Sequence, residues 1–185
     1  MLGTLQAVGM IEFNSVAAGI EGADVMVKAA TVNPLMMKTI CPGKFVVGVY
    51  ATVGPVQASV KAGLGAAAGA VIDHFVIPNI DPSVIQAMSC ATEATRGAAV
   101  GVVETFSAAS CIVAADTAVK AADVDLVEVR IAMGLGGKAF CIIAGDVGPV
   151  KTSVAAGAAT AGDNGMLVRQ VVIPHLAPEV RRHIM

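Results

Sequence analysis

Aromatic side chains are nearly missing: there is no tryptophan, one tyrosine and five phenylalanines, 3 % in all. That removes the stacking platforms on which single-stranded nucleic acid is held. Charge is scarce too, at 14 % of residues with a formal net charge of -2. Without a basic field, nucleic acid is excluded as a partner. Long uninterrupted apolar runs are also lacking, since the most apolar windows are broken by Asp73 and His74, by Asp81 or by Asp146. None approaches the roughly 20 residues of a membrane-spanning helix, so no membrane partner is expected. No basic segment followed by an apolar core opens the chain, which predicts a cytoplasmic protein. The four cysteines, Cys41, Cys90, Cys111 and Cys141, show no C-x-x-C spacing. One chain therefore builds neither a zinc ribbon nor a self-contained ferredoxin site, and the compartment argues against a disulfide framework.

What is present is small and apolar. Hydrophobic residues make up 56 % of the 185 and the mean hydropathy is +0.77, an excess carried largely by Ala and Val. Small residues allow close packing, and little surface charge is left to hold monomers apart, which fits a subunit that buries surface against its neighbours.

Ala7-Val8-Gly9-Met10-Ile11-Glu12 reads as a strand, and Ser15 as the N-cap of a helix with an apolar stripe at Val16, Ile20, Ala23 and Val27. Two strands follow, residues 31–40 and 45–52. A second helix begins at Gly54-Pro55 with Val56, Val60 and Leu64 on one face, and residues 71–77 form the closing strand. The order βαββαβ predicts an α+β, ferredoxin-like unit: an antiparallel sheet with helices on one face.

The unit then recurs. Ala99-Val100-Gly101-Val102-Val103-Glu104 repeats the first strand at an offset of 92 residues, and Val119-Lys120-Ala121-Ala122 repeats Val27-Lys28-Ala29-Ala30 at the same offset. Val147-Gly148-Pro149-Val150 matches Val53-Gly54-Pro55-Val56, and Val172-Ile173-Pro174 matches Val76-Ile77-Pro78, with small insertions between. Two tandem domains are expected, residues 1–90 and 99–185, joined by a linker over 91–98. The stretch from Asp81 onward is rich in Ser, Thr, Ala and Glu and partly helical in character.

The copies diverge most at one turn. In the first it is Cys41-Pro42-Gly43-Lys44, and in the second Met133-Gly134-Leu135-Gly136-Gly137-Lys138. Proline withholds a donor and glycine supplies a turn conformation, so Cys41 lies on a tight connection between strands with its tip exposed. Taken alone, such a thiol is an ordinary free cysteine. The glycine-rich counterpart is no phosphate loop, because Ala139 follows its lysine and the glycine separation is too short. His74, His175 and His183 have no ligand or triad spacing, and Glu12 and Glu104 occupy equivalent strand ends, which suits a scaffold better than an acid–base pair. Cys111 and Cys141 read as buried small hydrophobes. Nothing here assembles an enzyme.

The spaced pieces Ala-Val-Gly-x-x-Glu, Ala-Ala-Asp-x-x-Val-Lys-Ala-Ala, Gly-Gly-Lys, Gly-Asp-Val-Gly-x-Val and Val-Ile-Pro resemble the bacterial microcompartment shell (BMC) domain, twice over. The unpermuted tandem with Thr39-Ile40-Cys41-Pro42-Gly43-Lys44-Phe45 in its first turn is similar to the tandem-domain shell proteins of propanediol-utilising microcompartments. The resemblance implies a homotrimer shaped as a hexagonal tile, a pseudohexamer packed edge to edge with other shell proteins. It implies that Cys41 lies at the centre of the tile, flanked by Thr39, Ile40, Pro42 and Gly43, with Met133, Gly134, Leu135 and Gly136 from the second copy. It further implies one 4Fe-4S cluster per trimer on the three-fold axis, ligated by Cys41 of each subunit. Such a cluster would pass electrons to a redox protein of lumen or cytosol, or be delivered as cargo. In the alternative the centre is a pore for a small metabolite and Cys41 only lines it. A third class is a small-molecule sensor or enzyme on ferredoxin-like repeats. Read alone, Lys28 and Lys120 are last-turn lysines that favour the helix dipole; through the resemblance they match the family's tile-edge lysine. Asn79 and His175 stand where single-domain relatives carry an arginine, a departure at that edge.

Overall fold

The structure, a computed structural model, describes residues 7–90, 92, 97–131 and 134–184. The chain divides into two compact units, residues 7–80 with 134–137, and residues 81–131 with 138–184.

In the first unit the elements run β1 (Ala7–Phe13), α1 (Val16–Ala29), β2 (Asn33–Ile40), β3 (Lys44–Ala51), α2 (Val53–Ala66) and β4 (Val71–Ile77), with one short 3-10 turn before β4. The four strands form one sheet in the order β2-β3-β1-β4, each pair antiparallel. Ser15 caps α1, its hydroxyl accepting from the Ala18 amide at 3.4 Å. The core lies between sheet and helices, where Ile11, Phe13, Met26, Val47, Val56 and Val60 pack together.

Only half of the stripe expected on α1 is turned inward: Ala23 is buried and Val16 packs against the core. Gly19, Gly22, Ala23 and Met26 face the core, while Ile20 and Val27 face outward. The reason is steric. A Cβ at Gly19 or Gly22 would fall within 2.6 Å of the Phe45 or Phe13 ring, so large side chains of the sheet fill the space that helical side chains would take. On α2 the expected face holds: Val56 and Val60 are buried and Leu64 packs beside them.

The second unit repeats the plan with β5 (Ala99–Thr105), α4 (Ala108–Ala121), β6 (Asp125–Ile131), β7 (Ala139–Gly145), α5 (Val147–Asp163) and β8 (Leu167–Ile173), sheet order β6-β7-β5-β8. It is preceded by α3 (Pro82–Met88) and followed by α6 (Pro178–Ile184). Residues 81–90, expected with the first domain, cluster with this unit. Asp81 ties them there: it caps α3 through the Ser83 amide, and its own amide donates to Asp116 on α4 at 2.8 Å. Registers of β5 with β7 and β8 place Val102 beside Ile142 and Val171 on the sheet face away from Gly101, which packs on α5. That face forms the floor of a groove of about 740 Å³.

Candidate functional site

β2 and β3 pair as far as Ile40 opposite Lys44, leaving a three-residue connection, residues 41–43. Gly43 takes the left-handed conformation (φ +76°) that closes such a turn, and no atom lies within 4 Å of where its Cβ would stand. Pro42 and Gly43 are exposed and Cys41 is half-buried. Of the residues expected around the centre, Thr39 is exposed, whereas Ile40 is buried and anchors the turn from below.

The far end of the turn is anchored by charge. The Lys44 ammonium donates to Glu12 Oε1 at 2.8 Å and to the Gly137 carbonyl at 3.2 Å. Glu12 is fully buried and the Lys44 side chain is 14 % exposed. Gly137 (φ +90°) is buried, and a Cβ there would stand 2.9 Å from Pro42 Cδ. Only glycine lets the 134–137 stretch lie against the Cys41 turn. The structure thus brings Pro42 and Lys44 against Gly137 of this stretch, in which Gly134 and Gly136 are exposed and Leu135 is half-buried. Met133 lies outside the described residues.

The second unit has an equivalent pair, Lys138 with Glu104. Sequence reading singled out both glutamates but missed their lysine partners. The signal was present, since lysine closes both turns and glutamate is the last residue but one of both first strands.

The remaining thiols are separate from this site. Cys111 and Cys141 are both buried on facing elements, α4 and β7. A hydrogen bond with the Cys141 thiol, and then burial, hold the Cys111 thiol well above its ordinary range, so it stays protonated and unsuited to ligation at neutral pH. Cys90 is exposed. Among the described residues no cluster of three His, Cys, Asp or Glu side chains exists that could hold a metal within one chain.

At the helix ends, Lys28 pairs with Asp24 at 2.7 Å in solvent and Lys120 with Asp116 at 2.6 Å. Asn79 and His175 are exposed beyond β4 and β8, in equivalent places. Among the described residues no helix is long and apolar enough to cross a membrane.

The family profile of the BMC domain matches residues 7–80 and 99–176. The chain is 46 % identical over 169 residues to the bacterial microcompartment shell protein PduT of Citrobacter freundii, covering 91 % of this chain and 92 % of that protein. The carboxysome shell protein CcmK2 of Synechococcus elongatus is 45 % identical over 75 residues, 38 % of this chain and 74 % of its own. Among solved structures, a microcompartments protein from Desulfitobacterium hafniense superposes with a TM-score of 0.83 at 52 % identity, covering 95 % of this chain and 98 % of that one.

Proposed function

The chain belongs to the BMC-domain family of microcompartment shell proteins, two copies of the domain making up most of its length, and on that premise we propose that it forms a trimeric shell tile with a 4Fe-4S cluster held at Cys41. Its place is then the shell of a microcompartment in the cytoplasm, edge to edge with other shell proteins. Its role is structural, with no chemistry of its own on a substrate.

The observation that carries the cluster reading is the Cys41 turn. A soft thiol stands half-buried on a turn whose Pro42 and Gly43 are exposed, and open space adjoins Gly43. The donor set fits an iron–sulfur centre shared between chains, with Cys41 as the one ligand each chain supplies. Such a cluster, when bound, supplies one-electron chemistry. The chain's own part is to present the thiol on a turn fixed at Ile40 and Lys44. A solvent-facing position on the tile suits electron transfer across the shell or cluster delivery.

The test is iron and acid-labile sulfide per chain, with an electron paramagnetic resonance spectrum, on anaerobically reconstituted protein and on Cys41→Ala. One cubane per trimer gives about 4/3 iron per chain, absent in the variant while the trimer persists. If both proteins are iron-free trimers, the shell role stands alone and the centre is a metabolite pore lined by Cys41.

A further inference from the structure

The Cys41 turn is exposed at its tip but bound at its root, and the binding converges on one side chain. Lys44 is the first residue of β3, Glu12 the last but one of β1, and Gly137 belongs to the stretch that lies against Pro42. The ammonium therefore joins three segments distant in sequence, 32 residues from Glu12 and 93 from Gly137. With Glu12 fully buried and Lys44 nearly so, solvent competes little for either bond. A flexible lysine elsewhere holds nothing in place, but this one has two acceptors within 3.2 Å and is fixed by both.

We propose that Lys44, through its bonds to Glu12 and Gly137, is the positioning residue for the Cys41 thiol. The inference deepens the cluster reading and rests on it for its purpose, although the positioning is a property of the metal-free chain. A ligand shared between subunits must be presented at one place by every chain, because no second ligand on the same chain corrects a misplaced thiol. Ile40 fixes one end of the turn by burial, and Lys44 fixes the other by charge. The equivalent Lys138–Glu104 pair lies at a turn that bears no thiol, and its side chains are 42 % and 30 % exposed. It serves as an internal control.

The experiment attaches a nitroxide to Cys41 in a Cys90→Ser background, with the label diluted by its diamagnetic analogue. Line shapes are compared for the parent, Lys44→Met, Lys44→Arg and Lys138→Met, all metal-free. Lys44→Met is expected to add a mobile component, Lys44→Arg to restore most of the restricted one, and Lys138→Met to change nothing. Should Lys44→Met fail to fold, Glu12→Gln weakens the same bond with the shape kept, and the same mobile component is expected. Parent line shapes in Lys44→Met, or in Glu12→Gln, would overturn the proposal, as would an equal effect from Lys138→Met. Iron content on reconstitution is read separately. Mobility that changes in a protein that never binds iron sustains the positioning role and removes the cluster reading.

Discussion

Lys44 and Lys138 close equivalent turns and bond equivalent glutamates, yet their surroundings differ. Removing one partner of a buried ion pair costs about 3–5 kcal/mol, whereas exposed pairs contribute about 0–1 kcal/mol. Lys44→Met is therefore expected to lower the urea midpoint strongly, by the equivalent of about 3 kcal/mol. Lys138→Met should lower it by less than about 1 kcal/mol, both measured at one chain concentration because assembly adds to stability. Equal effects would show that burial does not separate the pairs. The thiols divide in the same way. Under native conditions iodoacetamide should modify Cys90 and Cys41 and spare Cys111 and Cys141, as peptide mass spectrometry would show. Burial excludes the reagent from both inner thiols, and the Cys141 hydrogen bond and burial keep Cys111 protonated. The burial of Cys111 and Cys141 was legible in sequence from helix and strand placement. The lysine–glutamate bonds were not, because nothing in the sequence says which strand end meets which until the register of β1 with β3 sets Glu12 opposite Val46.

At the level of elements, the order βαββαβ, the antiparallel sheet and the Cys41 turn followed from alternation, proline and glycine. The buried face of α1 followed only in part, at Val16 and Ala23. A periodicity argument gives weight to large apolar residues, and here the contact is made by glycines under Phe13 and Phe45 while Ile20 is left outside. The glycines of the second turn differ in kind as well. Gly134 (φ +71°) has open space where a Cβ would stand, and Gly137 (φ +90°) has Pro42 at 2.9 Å. Gly134→Ala should cost the backbone strain alone, about 1 kcal/mol, and Gly137→Ala roughly twice that because the turn must also shift. Chemical denaturation ranks them. A Gly137→Ala variant as stable as Gly134→Ala would mean that the two turns do not press on each other.

Across the whole chain the two units are equivalent in plan and unequal in cover. Ile20 on α1 is 57 % exposed, and its counterpart on α4, Ile112, is 1 % exposed. Apolar surface left bare on one copy of a repeat and covered on the other is what a head-to-tail ring uses. If the chain assembles as the trimer proposed above, Ile20→Lys is expected to keep the helical content by circular dichroism and to shift the sedimentation coefficient toward that of the monomer. An unchanged trimer would place the ring contact elsewhere. A ring of six identical domains sets every side chain around its axis six times over. In the trimer proposed above, a duplicated chain whose two hairpin tips have drifted apart would escape that arithmetic, because one codon change would add or remove groups at the axis in threes. Odd-numbered coordination, closed to an even ring, is then within reach of a single substitution.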